Sequence, residues 1–168
     1  RYRFGAQPDI VLWNLYQLAN ALFPLIADKE GLQKILHNYE KDFVHQYLNM
    51  MRDKIGLAIE DAEDQSLIDE LESLLQLSET DMTIFFRELA KYGRDTDGLA
   101  LIQPAFYAPA EIANTVQKRW DAWFRAYGKR LEKEIRDSKE RFVEMNKTNP
   151  KYVLRNYMAQ LAIEAAEK

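Results

Sequence analysis

The sequence predicts an all-α protein, a multi-helix bundle, on three observations. Apolar residues recur at steps of three and four along almost the entire chain. No segment of strand length alternates apolar with polar residues. Neither an internal repeat nor a low-complexity tract interrupts the pattern.

The first helix opens at Gln7-Pro8-Asp9, where a proline near the first helical position costs no hydrogen bond. Val11, Leu15, Leu18, Leu22 and Leu25 fall on one face, and Leu12, Trp13 and Tyr16 widen it. A stripe that wide predicts burial on more than one side, and Pro24 is expected to end or kink the helix. Asp28 suits the cap of a second helix, whose stripe is Leu32, Ile35, Tyr39, Phe43, Tyr47, Met51 and Ile55. Leu67, Ile68, Leu71, Leu74 and Leu75 mark a third. Ser78 with Asp81 fits a loose capping box for a fourth, which turns Phe85, Phe86 and Leu89 inward and stops at Tyr92-Gly93.

Residues from about 93 to 108 form the expected irregular connection, with Gly93, Gly98 and Pro104. Pro109 is expected to start a long helix carrying Ile112, Val116, Trp120, Trp123, Tyr127, Leu131 and Ile135, with Gly128 as a weak point of roughly 1 kcal/mol relative to Ala. Asn149-Pro150 reads as the cap and first turn of a last helix with Leu154, Met158 and Leu161 inward.

The chain has 168 residues, 23 Lys and Arg against 27 Asp and Glu, a formal charge of −4 and no Cys. A 47% hydrophobic and 30% charged composition fits one folded domain over 1–168. Without Cys there is no disulfide framework, no thiolate metal site and no thiol nucleophile. No run of about 18 apolar residues is present to span a membrane. Net acidity argues against nucleic acid, whose binders present a basic face. The chain begins at Arg1 rather than Met and ends in Glu164-Ala165-Ala166-Glu167-Lys168 with no helix stop, so the expectation is a part of a longer protein.

The chemistry-bearing residues do not assemble into a recognisable catalytic motif. His37 and His45 are eight apart, two helical turns, which is long for a chelating pair. The acidic runs Glu60-Asp61-Ala62-Glu63-Asp64 and Asp69-Glu70-Leu71-Glu72 lack the central Gly of a calcium loop and read as a solvated linker and helix start. Nine Lys and Arg between Lys118 and Arg141 interleave with acids, the pattern of i,i+4 pairing on a wet face. Neither G-x-G nor G-K-[ST] occurs, nor a kinase H-R-D or D-F-G.

Two stretches are more specific. Arg1-Tyr2-Arg3-Phe4-Gly5-Ala6-Gln7-Pro8, running into Trp13-Asn14-Leu15, and Met145-Asn146-Lys147-Thr148-Asn149-Pro150, running on to Arg155-Asn156, together resemble the selenoprotein O family. Between them, Trp120-x-x-Trp123-Phe124-x-x-Tyr127-x-x-Arg130-Leu131 is similar to the same family's pattern. The resemblance implies the helical C-terminal part of a kinase-like protein adenylyltransferase, which moves AMP from ATP to Ser, Thr or Tyr hydroxyls of proteins. It implies ATP with Mg (or Mn) for the full-length parent and none of these cofactors held by this piece, because the family's glycine-rich loop, Lys–Glu pair and metal ligands precede the first motif. It also implies a bacterial, cytoplasmic setting, with an upstream kinase-like domain and protein substrates as partners.

On this reading no catalytic, cofactor or metal residue falls in the chain, and Arg1 and Arg3 are the candidates for active-site support. Asn146, Asn149, Arg155 and Asn156 are expected as caps and hydrogen-bond holders. The rival expectation is a self-standing helical interaction module that offers Trp120, Trp123 and Tyr127 as a partner surface. Self-association through an uncovered apolar face is a third.

Overall fold

The computed structural model describes residues 6–167. Among them the chain forms eight α-helices: α1 Gln7–Ile26, α2 Lys29–Ile55, α3 Asp64–Leu77, α4 Met82–Leu89, α5 Gly98–Ile102, α6 Asn114–Leu131, α7 Ser138–Thr148 and α8 Asn156–Ala166. The fold is all-α. The chain divides into two compact units, Arg1–Asn49 and Met50–Lys168, with the last turns of α2 belonging to the second.

In the first unit, Asp28 caps α2 as expected, its Oδ1 accepting a 2.8 Å hydrogen bond from the Gly31 amide. Leu36, one position off the expected stripe, is the buried residue of this part of α2, whereas Ile35 is exposed. Tyr39, Phe43 and Tyr47 stack along one face, with ring centroids 6.3 and 6.5 Å apart. Two expectations for α1 are corrected. Pro24 does not end the helix, which runs to Ile26 and stops with Ala27 in the left-handed conformation at φ 53°. No residue of α1 is buried, and Trp13 is 59% exposed.

The second unit has an aromatic core. α3 buries Leu67, Ile68, Leu71 and Leu74, α4 buries Phe85, Phe86 and Leu89, and α6 buries Trp120, Trp123, Phe124 and Tyr127. α2 ends on a Schellman motif, in which Leu57 N–H donates to Arg52 O and Gly56 N–H to Asp53 O. Gly56 sits at φ 77°, where a Cβ would lie 2.7 Å from both Arg141 Cγ and Met145 Sδ. Glycine is therefore required on two grounds.

Ser78 closes α3 instead of capping α4. Asp81 takes the capping role, accepting from the Thr83 and Ile84 amides. The segment expected to be irregular contains α5 and a 3-10 turn over Gln103–Ala105. An isolated antiparallel bridge between Thr80 and Phe106 then ties it to the α3–α4 connection.

The long helix expected from Pro109 through Ile135 is a 3-10 turn and a separate, shorter α-helix. Pro109–Glu111 is a single 3-10 turn, α6 starts at Asn114 and ends at Leu131, and Ile135 is exposed. α7 starts afresh because Asp137 caps it, accepting from the Lys139 and Glu140 amides at 2.8 Å each. Asn149-Pro150 ends α7 rather than opening α8. The residue before a proline is pushed out of the helical region, and Asn149 is extended at φ −96°, ψ 115°. Leu154, Met158 and Leu161 are exposed, not inward.

Candidate functional site

The residues of the Met145–Asn156 motif act as fasteners inside the second unit. α7 buries Met145 and delivers Asn149, at its C-terminus, into the interior. The Asn149 Nδ2 donates to the Lys54 carbonyl at 2.8 Å, spanning 95 positions of sequence. Its Oδ1 is buried and has no hydrogen-bond partner among the described residues. Arg87, on α4, donates from Nη1 to the carbonyls of Asn146 and Asn149 at 3.3 and 3.4 Å. Arg155 Nη2 meets Asp81 Oδ2 at 2.9 Å, the other oxygen of that carboxylate being the α4 cap. The side chains of Asn149 and Arg155 thus tie the end of α7 and the segment after it to α2 and α4, whereas α8, opening at Asn156, has no side-chain cap. Lys54 itself lies over the Phe86 ring at 4.3 Å, and burial pulls its ammonium below the ordinary lysine range.

The Trp120–Leu131 pattern is core. Trp120, Trp123 and Tyr127 are 0%, 2% and 0% exposed, so their assignment as a partner surface is corrected. Their spacing of three and four turns them onto one face of α6, which α3 and α5 cover and which Phe85 of α4 meets at Trp120, ring centroids 5.7 Å apart. Each polar tip finds a partner, as buried aromatics require. Trp123 Nε1 donates to Leu67 O at 2.9 Å, Trp120 Nε1 reaches Ser78 Oγ at 3.4 Å, and Tyr127 Oη donates to Ile55 O at 2.6 Å. Burial pushes the Tyr127 phenol up to about 12, against the opposing pull of Arg141.

The acidic run and the basic run, which the sequence places on separate wet faces, meet each other. Arg130, 3% exposed, pairs through Nε with Asp64 Oδ1 at 2.6 Å and through Nη1 with Glu134 Oε1 at 2.7 Å. The Glu134 carboxylate also accepts from the amides of Ala58 and Ile59. Arg52 Nη1 lies 3.9 Å from Asp64 and 3.5 Å from Glu60. Nearer the surface, Lys133 bridges Asp61 and Glu63 at 2.7 and 3.2 Å, and its hydrogen bond holds the Asp61 carboxyl below its ordinary range. Asp64 is therefore a buried anchor and not part of a solvated linker. The signal missed in the sequence is Asp64-Arg130 complementarity across 66 positions, which no local spacing rule reports.

His45 lies 3.2 Å from Asn49, and His37 is exposed. Among the described residues, no group of three or more His, Asp and Glu is placed to hold a metal ion. No helix among them is long and apolar enough to cross a membrane. Arg1 and Arg3 lie outside the described residues. This arrangement holds helices in register across the second unit.

The fold and these bonds define a helical scaffold in which Trp120, Trp123, Tyr127, Arg130 and Asn149 are spent on its own packing. A family model described as protein adenylyltransferase SelO matches residues 1–168. The chain is 51% identical to protein nucleotidyltransferase YdiU of Flavobacterium johnsoniae, over all of this chain and 33% of that protein. It is 43% identical to the YdiU protein of Aromatoleum aromaticum and 42% to that of an Azoarcus species, in each case over all of this chain and 32% of the relative. The chain belongs to the SelO family, and it spans about a third of the length of the curated relatives it matches.

Proposed function

We propose that this chain is the helical supporting portion of a protein adenylyltransferase. The parent moves AMP from ATP, with Mg or Mn, to Ser, Thr or Tyr hydroxyls of proteins. In that reaction the hydroxyl oxygen bonds to the α-phosphorus, the bond to the β-phosphate breaks, and pyrophosphate leaves. The observation that carries the reading is the match of the SelO model to residues 1–168, with relatives three times as long. The role assigned to this chain is structural: Asn149, Arg87 and Arg155 fix α7 so that it presents a constant surface to the rest of the protein.

Uncovered apolar residues support the same reading. Trp13, Leu18 and Leu25 on α1 are exposed, as are Tyr152, Leu154 and Tyr157 around the start of α8. Rows of this kind mark surfaces that a larger body covers. The kinase-like remainder of the parent is the partner assigned to them, in a bacterial cytoplasm that supplies the ATP.

The test is transfer of label from ATP carrying it on the α-phosphate. The full-length parent is expected to label protein substrates, and Asn149→Ala to lower that labelling in proportion to lost folded protein. Undiminished folding with labelling abolished by Asn149→Ala would assign this region to the chemistry and overturn the structural role.

A further inference from the structure

An open groove of about 470 Å³ lies between the segment after α4, the C-terminal half of α6 and the turn into α7. That is the size of a small-molecule site. Five cationic side chains line it (Arg94, Arg125, Lys129, Arg136 and Arg141), against Glu132 and Glu134. The groove thus carries an excess of three positive charges in a chain whose net charge is −4. Glu134 is already committed to Arg130 and to the amides of Ala58 and Ile59.

Arg141 is the informative member. It is only 4% exposed, and its guanidinium meets Tyr127 Oη at 3.1 Å, the Tyr92 carbonyl and Met145 Sδ at 3.6 Å. None of these is an anion. Arg130, equally buried, is met by two carboxylates. A buried guanidinium without a counter-charge is costly, and an anion arriving in the groove removes that cost. At the rim, Arg94, Arg125 and Lys129 make no ion pair or side-chain hydrogen bond among the described residues. Tyr92 stacked on Phe124 at 5.3 Å supplies an apolar wall. Gly128 keeps the space beside it open, since a Cβ there would lie 3.1 Å from Tyr92 Oη.

We propose that this groove binds a phosphate-bearing small molecule, with Arg141 as the buried counter-charge and Arg94, Arg125 and Lys129 gripping the anion from the rim. Guanidinium forks match phosphate oxygens in pairs. A buried arginine on the floor of a concave groove selects a compact anion over the flat acidic face of a protein. The inference rests on residues 92–141 alone and is independent of the transferase reading.

The test is calorimetric titration of the protein with inorganic pyrophosphate at low ionic strength. Saturable one-site binding is expected. Arg125→Glu combined with Lys129→Glu is expected to weaken it by at least roughly tenfold. Lys34→Glu combined with Lys118→Glu makes the same charge change at exposed positions outside the groove, and is expected to leave affinity within about twofold. If the charge reversal disturbs folding by circular dichroism, Arg125→Gln with Lys129→Gln replaces it, with a smaller loss expected. Absence of saturable binding, equal loss in both double variants, or competition by a poly-glutamate peptide as strong as that by pyrophosphate would each overturn the proposal.

Discussion

Gly56 concentrates two demands in one residue. Its positive φ terminates α2, and its missing Cβ admits Arg141 and Met145. Gly56→Ala is therefore expected to destabilise the second unit by about 1–3 kcal/mol, read from the urea midpoint. Asp64 is the other residue on which local reasoning and tertiary structure part. In the sequence it is the last member of an acidic run, and in the fold it is the anion that meets Arg130. Asp64→Ala leaves that guanidinium buried and half unpaired, and is expected to cost about 3–5 kcal/mol. Asp61→Ala, which removes a partner of Lys133 nearer the surface, is expected to cost a small fraction of that. Tyr127 gives a pH signature. Its phenol ionises at about 12 in the folded protein and near the ordinary tyrosine value of about 10 when unfolded, so the unfolded state holds fewer protons in that window. Stability is complete below about pH 10 and falls as pH rises through that window toward 12. Tyr127→Phe is expected to flatten the fall by up to about 1.4 kcal/mol per pH unit, measured by denaturant unfolding across that range.

At the scale of elements, periodicity located the buried faces of α3, α4 and α6, and missed by one position in α2, where Leu36 is buried and Ile35 exposed. Leu67, Ile68, Leu71 and Leu74 of α3 and the Trp120–Tyr127 face of α6 are buried as the spacing predicts. What periodicity does not report is what covers a face. The stripes of α1 and α8 have the same spacing and no buried residue. Helix punctuation was legible in part. Asp137 followed by Glu140 is a capping signal at the third position, yet the apolar rhythm running through Ile135 hid it. Pro24 sits in the last turn, where the helix has little left to lose. Asn-Pro serves equally to stop a helix or to open one, and only the burial of Asn149 against Lys54 decides between them. The pairing of the acidic and basic runs was illegible because partners some 66 to 72 positions apart are set by packing, not by spacing. Asp81 carries an element-scale prediction: it caps α4 and also holds Arg155, so Asp81→Ala is expected to cost about 1–2 kcal/mol in thermal unfolding.

Across the whole molecule, the second unit is organised around an aromatic core cross-braced by buried charges, while the first leaves much of its apolar surface open. Both features belong to a chain that matches about a third of each relative's length. The most direct measurement is the thermal shift of this 168-residue chain with Mg–ATP, read beside the full-length parent. The account predicts a clear nucleotide-dependent rise in melting temperature for the parent and none at matched ionic strength for the chain, apart from any shift that Arg125→Glu with Lys129→Glu abolishes. A rise in the isolated chain that survives that double variant and disappears on another substitution within residues 6–167 would contradict it.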